Sequence, residues 1–233
     1  MNLLFPIMLV LVFGYLFGGA MTVPGGGDYR EFLLPGMFAM TMLFGLESTV
    51  LAVTADTARG VTDRFRSLPI ASSAVLGGRA VADVIDSTLR LVVVLLCGLV
   101  VGWRWHDGLG AAAAAVALLL LLRFAFIWVG VYLGLLLKTP ESAAMVQILV
   151  WPVGFLSNAF VAPETMPAPL ALIAEWNPMS ATAAAARERF GNPGWGEQSW
   201  AAQHAVAMAV GWPVLLSAVF IPLSLRRYRH LSR

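Results

Sequence analysis

The sequence predicts an all-α integral membrane protein with six transmembrane helices. Of its 233 residues, 59% are hydrophobic and 12% are charged, and the mean hydropathy is +0.80. Soluble domains carry about 25% charged residues, so this chain holds more apolar surface than a water-soluble fold buries. The apolar residues also gather in six runs, each near the ~20 residues that cross a bilayer as a helix. These observations exclude a water-soluble globular protein.

The six apolar runs define the predicted spans, which together form one transmembrane domain over residues 1–233. They cover residues 3–21, 34–54, 84–103, 111–137, 142–160 and 203–225. The first run has no positive residue ahead of it and five more spans follow, so we expect a retained span and not a cleaved signal peptide. The lone cysteine, Cys97, lies inside the third run, where we interpret it as a small packing residue.

The basic residues orient these spans. With the N-terminus inside, the cytoplasmic loops and tail carry nine of the 15 basic residues, namely Arg59, Arg64, Arg66, Arg79, Lys138, Arg226, Arg227, Arg229 and Arg233. The outer loops carry four, namely Arg30, Arg104, Arg187 and Arg189. Because lysine and arginine are enriched in cytoplasmic loops, both termini are predicted to be cytoplasmic.

The segment between the fifth and sixth spans, residues 158–202, does not read as a span. Five prolines and several glycines interrupt it, and its apolar helical face around Leu170 and Ile173 is too short to cross a bilayer. Irregular backbone at membrane depth is tolerated only where protein or water satisfies its polar groups. The pattern predicts a re-entrant or interfacial helical segment before the last span.

Motifs for enzymatic chemistry are missing from the sequence. The only lysine, Lys138, is not part of a G-x-x-x-x-G-K-[ST] phosphate-binding loop. The three histidines, His106, His204 and His230, lie far apart, which argues against a zinc site. No G-x-S-x-G nucleophile motif occurs either. A membrane-embedded enzyme therefore has no motif in its favour.

The polar loop between the second and third spans, residues 56–83, is the most informative stretch. Val61, Phe65 and Leu68 follow the i, i+4, i+7 spacing of one helical face, and Pro69 ends the turn. The pattern predicts a short amphipathic helix along the inner membrane surface. The alternative is a solvated loop whose arginines only set the topology.

Two stretches of the sequence resemble type-2 ABC transporter permeases, in particular the daunorubicin-resistance branch of drug exporters. Residues 59–70 (RGVTDRFRSLPI), followed by residues 76–83 (LGGRAVAD), are similar to the cytoplasmic loop of that family. Residues 160–170 (FVAPETMPAPL), with residues 175–179 and Arg187, are similar to its segment before the last span. Together with the six-span plan, the resemblance covers nearly the whole chain.

The resemblance implies a two-part machine in the plasma membrane of a bacterium. It implies a coupling helix that docks on a separate ATPase subunit, with contact residues Arg59, Gly60, Asp63, Arg64, Phe65, Arg66, Leu68 and Pro69. ATP and magnesium are then expected on that partner, with no cofactor in this chain. A second permease half, identical or homologous, completes the path, and no nucleic acid is involved.

The resemblance also implies short extracellular re-entrant helices that cap the exit of the path. The residues expected to shape them are Pro163, Met166, Pro167, Asn177 and Pro178. Family members usually carry a cytoplasmic amphipathic segment before the first span, whereas here the apolar run begins at Leu3. An amphipathic drug, a lipid or a lipid-linked polymer would suit the apolar walls of such a path.

Three charges fall inside the predicted spans. Glu47 and Arg90 both lie about 10 Å from the inner ends of their spans at 1.5 Å per residue, so we predict that they pair. Such a pair either locks the two spans statically or transmits coupling-helix motion. Arg123 lies nearer mid-span. We expect it to face a water-filled cavity or a second subunit.

Two amides, Gln147 and Asn158, lie on the fifth predicted span. They either line a translocation path or form inter-helix hydrogen bonds, the commoner role of amides in spans.

The predicted functions come from two classes. The first is an exporter permease powered by ATPase chains in trans. The alternative is a stand-alone secondary transporter or channel in which Glu47 and Arg123 bind a coupling ion. The sequence has no internal repeat and no broken spans in matching positions, so it favours the permease.

Overall fold

The helices of this protein follow one another with short connections. The computed structural model describes residues 4–17, 28–61, 71–137, 139–194 and 199–230. Its helices are α1 (Leu4–Val12, continued by a π-helical turn Phe13–Phe17), α2 (Tyr29–Ala58), α3 (Ser72–Val101), α4 (Gly108–Leu136), α5 (Pro140–Phe155), a 3₁₀ turn (Pro163–Thr165), α6 (Ala168–Glu175), α7 (Pro178–Phe190), α8 (Trp200–Gln203) and α9 (Ala205–His230). The prediction of an all-α membrane protein is confirmed.

Four of the described helices are long and apolar enough to cross a membrane. They are α2, α3 from Ser73, α4 and α9, and they correspond to the second, third, fourth and sixth predicted spans. The fifth predicted span is a shorter apolar helix, Glu141–Phe155. The first is helical over 4–17 within the described residues. The structure thus supports four of the six spans by length and composition.

Helix α3 begins earlier than the sequence suggested. It starts at Ser72, whereas the third span was predicted from residue 84, so residues 72–83 of the predicted coupling loop are helical. The helix continues because its charges at this end are neutralised locally: Arg79 pairs with Asp83, one turn further on, at 3.3 Å. A 30-residue helix is about 45 Å long and exceeds the ~30 Å hydrocarbon core, so part of α3 extends beyond it.

Helix α2 lies at the centre of the bundle. Most of its side chains are buried, and it packs against α3, α4, α5 and α7. It approaches α4 closely, since a β-carbon on Gly134 would lie only 2.7 Å from Cβ of Val53. Because glycine lets the two backbones come this near, α2 and α4 pack tightly and position the polar side chains between them.

The segment predicted to be re-entrant folds as short helices beside the long ones. The side chains of α6 are mostly exposed, including Leu172 and Ile173, whereas α7 is largely buried against α2, α4 and α9. Aromatic contacts hold the end of α7, because the Phe190 ring lies 4.9 Å from that of Trp103, which is itself buried. Trp103 is therefore a packing residue.

Candidate functional site

Two of the predicted ATPase-coupling residues, Arg59 and Gly60, lie at the end of α2. Arg59 is exposed and caps α2, and Gly60 follows with a φ of 69°. Asp63, Arg64, Phe65, Arg66, Leu68 and Pro69 lie outside the described residues. The coupling helix therefore stays a prediction.

The structure does not bring Glu47 and Arg90 together. Arg90 Nε donates to Asp86 Oδ2 at 2.7 Å, one turn earlier on α3, and within the described part of the chain no ion pair includes Glu47. Equal depth along two helices does not make two side chains face each other, and Asp86 is nearer. The predicted Glu47–Arg90 pair is thus wrong.

Arg123 is the charged group buried between α2, α3 and α4. Only 2% of it is exposed. Its Nε donates to Ser87 Oγ at 2.6 Å, and its Nη2 donates to Thr49 Oγ1 at 2.8 Å. Gly45 makes room for it, since a β-carbon there would lie 2.6 Å from Arg123 Cζ. Among the described residues the partners of Arg123 are these two hydroxyls, and its buried Nη1 has none.

Thr49 connects Arg123 to a carboxylate. Thr49 Oγ1 lies 2.8 Å from Asp83 Oδ2 and 3.1 Å from the carbonyl oxygen of Gly45. Because the hydroxyl carries a single proton, it donates to the nearer acceptor, Asp83. Thr49 then accepts from Arg123 with a lone pair while donating to Asp83. Arg123 is therefore neutralised through a hydroxyl and not by direct contact with a carboxylate.

The chain of hydrogen bonds continues to the end of α2. Arg79 on α3 donates to Asp83 Oδ1 at 3.3 Å and to Asp56 Oδ2 on α2 at 2.7 Å. We call the whole set the polar network: Thr49, Asp56, Arg79, Asp83, Ser87 and Arg123. Its two arginines and two aspartates cancel in charge, which reduces the cost of burying them. The network thus joins α2, α3 and α4 through hydrogen bonds and ion pairs.

An apolar cavity of about 440 Å³ adjoins the polar network. Leu135 and Tyr228, near the ends of α4 and α9, line one part of it, and Asp56, Val61 and Arg79 line another. The described part of α2 and the turn after it end at Val61, on the wall of this cavity. The cavity and the polar network therefore lie at the end of the bundle where α2 ends and Arg59 and Gly60 follow.

The opposite end of the bundle is held by Asn177. Its Oδ1 accepts from the amide of Met179 and caps α7, while its Nδ2 donates to the carbonyls of Val153 and Leu156 at 2.8 and 2.7 Å. Pro178 occupies the first turn of α7, where a missing N–H does no harm. Asn177 thus joins the start of α7 to the end of α5.

The other residues predicted to shape this segment lie at its turns. Pro163 begins the 3₁₀ turn, Met166 follows that turn, and Pro167 precedes α6. Their placement agrees with a turn-rich segment.

Arg187 on α7 is buried, with 2% of its surface exposed. Its Nε donates to the carbonyl of Phe32 at 2.8 Å, and its Nη2 donates to the carbonyls of Asn158 and Ala159 at 3.2 and 3.0 Å. Its guanidinium also lies over the Phe32 ring, 4.2 Å from the centroid. Arg187 therefore fixes α7 to the start of α2 and to the turn after α5.

The two amides predicted on the fifth span have different surroundings. The backbone N–H of Asn158 donates to Ser180 Oγ at 2.9 Å, and its side-chain oxygen accepts from Arg187 at 3.4 Å. Asn158 therefore joins two elements, as inter-helix amides do. Gln147 is exposed on α5.

Sequence reasoning missed the polar network and the burial of Arg187. Asp83 and Arg79 were placed in a loop, and Arg187 was counted as an outer-loop charge. The run of alanine, serine and threonine at 180–186 was the available signal for Arg187, because a helix made of small residues is suited to tight packing. Among the described residues no cluster of His, Cys, Asp or Glu has the makings of a metal site.

Comparison with known proteins finds one matching family and a related permease. Residues 1–190 match the sequence model of the ABC-2 type transporter family. The chain is also 34% identical over 229 residues to the daunorubicin resistance ABC transporter permease protein DrrB1 of Streptomyces coeruleorubidus. That alignment covers 97% of this chain and 78% of the relative.

Proposed function

The chain belongs to the ABC-2 type transporter family, and from this premise we propose that it is the membrane-spanning subunit of an ATP-driven exporter. ATP and magnesium bind to a separate ATPase subunit, and this chain supplies the path. The similarity to a daunorubicin resistance permease over 97% of the chain carries the proposal. An amphipathic drug, a lipid or a lipid-linked polymer is the proposed substrate.

The polar network supports a route for the coupling. Residues 59–70 are the proposed contact with the ATPase, and Asp56 lies three residues before them. Asp56 is bonded to Arg79, and the network continues through Asp83 and Thr49 to the buried Arg123. Movement of residues 59–70 therefore shifts α2 against α3 at a point where charged hydrogen bonds resist sliding. The displacement reaches α4 through Arg123.

The opposite end of the bundle supports a cap over the exit. Asn177 and Arg187 hold the short helices α6 and α7 against α2 and α5 through backbone carbonyls. We propose that this segment is re-entrant from the extracellular side, that both termini are cytoplasmic, and that two permease halves assemble in a bacterial plasma membrane. The excess of basic residues on the Asp56 side supports this orientation.

The test is reconstitution with the cognate ATPase subunit in lipid vesicles. Arg64→Glu and Phe65→Ala are expected to abolish binding of the ATPase and ATP-dependent export together, because they reverse a charge and remove an apolar anchor from the proposed coupling helix. Arg226→Glu, a charge reversal on the exposed end of α9, serves as the control. Full export by both coupling variants, or no association with any ATPase chain, contradicts the proposal.

A further inference from the structure

The apolar cavity beside the polar network is accessible from the outside of the bundle. Its volume of about 440 Å³ lies within the ~300–1,000 Å³ of pockets that hold small organic ligands. Val75, Leu76 and Leu135 form apolar parts of its wall, while Ala74 and Gly78, on the α3 side, are exposed. A flexible apolar chain can therefore enter the cavity along α3.

Three arginines follow the apolar run of α9, and they lie on different faces of the helix. That run ends at Leu225, and Arg226, Arg227 and Arg229 come after it, so the boundary between acyl chains and lipid headgroups lies near this turn. Tyr228 is buried and lines the cavity. At about 100° per residue, Arg227 and Arg229 lie on the two sides of Tyr228, whereas Arg226 lies on the opposite face. Two of the three arginines therefore border the cavity.

Arg227 is attached to the wall of the cavity. Its Nε donates to the carbonyl oxygen of Leu135 at 3.5 Å, and Leu135 lines the cavity. This bond uses one of the five N–H donors of the guanidinium. Asp56, which also lines the cavity, is paired with Arg79 at 2.7 Å, so its carboxylate is already neutralised. The α9 edge of the cavity thus places positive charge beside an apolar interior.

We propose that this cavity, with Arg227 and Arg229 at its edge, binds an anionic phospholipid of the surrounding membrane. An acyl chain fills the apolar cavity, and the two guanidiniums hold the phosphate through charge-assisted hydrogen bonds. A zwitterionic lipid offers the same chain, but its own ammonium cancels the phosphate charge, so charge complementarity favours the anionic lipid. The bound lipid is a resident component and not the exported substrate, and the inference goes beyond the proposed export function.

The position of the site gives the bound lipid a structural role. The cavity is lined by residues of α2, α3, α4 and α9, and Asp56 and Arg79 on its wall form the ion pair that joins α2 to α3. An acyl chain in this cavity adds packing contacts to all four helices. Because a ligand that binds the folded protein stabilises it by mass action, the anionic lipid is expected to raise the melting temperature.

Native mass spectrometry of the intact chain tests the proposal, after release from nanodiscs that contain equal amounts of phosphatidylglycerol and phosphatidylcholine with identical acyl chains. The wild type is expected to retain phosphatidylglycerol preferentially. Arg227→Gln should reduce that preference by about fivefold, because it removes one basic contact to the phosphate. Arg226→Gln removes the same charge from the opposite face of α9 and should leave the preference unchanged. Glycerol 3-phosphate, which has the phosphate without the chains, should not displace the lipid.

Two neighbouring glycines test the apolar part of the site. A β-carbon at Gly77 or at Gly78 meets nothing within 4 Å, so α3 accepts a side chain at either position. Of the two, Gly78 lines the cavity. Gly78→Leu is therefore expected to occupy the space of the acyl chain, to lower retention of phosphatidylglycerol and to remove its effect on the melting temperature. Gly77→Leu, with the same change in size and helix propensity, should alter neither.

Four outcomes overturn the proposal. The first is a wild type that retains both lipids equally, and the second is an equal loss of preference in Arg226→Gln and Arg227→Gln, which would indicate diffuse attraction to the basic end of α9. The third is full retention by Gly78→Leu, which would leave the cavity without a role. The fourth is an Arg227→Gln variant that keeps its lipid but no longer associates with an ATPase subunit, which would assign this surface to that partner.

Discussion

The guanidinium of Arg123 on α4 donates to the hydroxyl of Thr49 on α2 at 2.8 Å, and that hydroxyl reaches Asp83 on α3 at the same distance. A single hydroxyl therefore connects three helices and separates a buried cation from its counter-charge. Because the hydroxyl donates in one direction and accepts in the other, both contacts depend on one rotamer. A substitution at Thr49 is therefore expected to disturb the polar network more than a substitution at its other positions.

Replacing Thr49 with valine keeps the shape of the side chain and removes both hydrogen bonds. Thr49 is 1% exposed, so Arg123 and Asp83 lose a partner that water does not replace, at a cost of about 1–3 kcal/mol. We expect a lower apparent melting temperature of the detergent-purified complex and weaker ATP-dependent export. Thr49→Ser, which retains the hydroxyl, is the control, and equal behaviour of the two variants contradicts the role of the hydroxyl.

Replacing Arg123 with lysine keeps the charge and removes the planar fork. A lysine ammonium is a point charge and does not hold Ser87 and Thr49 with the same geometry. We expect export to fall by about tenfold, equivalent to 1.4 kcal/mol, while ATP hydrolysis by the complex persists. Arg104→Lys is the control, because within the described part of the chain the Arg104 guanidinium donates to the nearby carbonyls of Leu99 and Trp103 and to no other helix. Hydrolysis and export that fall in parallel speak against a coupling role.

Two glycines, one crowded by neighbouring atoms and one in open space, test the packing around Arg123. Gly45→Ala places a methyl group 2.6 Å from Arg123 Cζ and must displace the guanidinium, whereas a β-carbon at Gly77 meets nothing within 4 Å. We expect Gly45→Ala to lower the melting temperature. Gly77→Ala should leave it unchanged or raise it, since alanine in a helix is about 1 kcal/mol more favourable than glycine. A Gly45→Ala protein with normal stability and export would show that Arg123 is not confined there.

The long helices were predictable from the sequence because bilayer thickness sets the length of an apolar run. The fourth span was predicted over residues 111–137 and α4 spans Gly108–Leu136. The start of α3 was not predictable in this way, because hydropathy falls where Arg79 and Asp83 occur. The backbone continues in a helix there, since those charges pair with each other along it.

Partners of the buried charges could not be predicted from depth. A position in the sequence gives the height of Glu47 or Arg90 along its helix, but the direction of each side chain depends on how the helices pack. Arg90 pairs with Asp86 on its own helix. Arg123 donates to two hydroxyls, and hydroxyl residues are too common in sequences to serve as a signal. The turn residues were easier to predict, because Asn177 followed by Pro178 is a local helix-start pattern.

Asn177 combines a helix cap with a bridge to α5, and one substitution separates the two roles. Asn177→Ser keeps a side-chain oxygen for the amide of Met179 but removes the donors to the carbonyls of Val153 and Leu156. We expect a loss of about 1–3 kcal/mol, because these partly buried carbonyls lose their donor, even though serine caps helices as well as asparagine. Ser199→Asn, at the cap of the short α8, is the control for capping alone. Thermal unfolding of both variants in one detergent measures the difference.

Arg187 differs from the other buried arginine in having only carbonyl partners and one aromatic face. Its guanidinium satisfies the carbonyls of Phe32, Asn158 and Ala159, which lie on two elements distant in sequence. Arg187→Leu leaves these carbonyls without a donor in an apolar interior, where each unsatisfied group costs about 1–3 kcal/mol.

We therefore expect the Arg187→Leu protein to accumulate poorly in membranes, and Arg187→Lys to recover only part of the loss because one ammonium does not reach all three carbonyls. Arg189→Leu, two residues away on the same helix, is the matched control. Arg189 is partly exposed, and among the described residues its ion pair is with the exposed Glu188 at 3.4 Å, so its loss should change stability by less than about 0.5 kcal/mol. Membrane abundance and melting temperature measure both effects. Equal results for the two leucine variants would mean that α7 is not held by Arg187, and the proposed cap over the exit would lose its anchor.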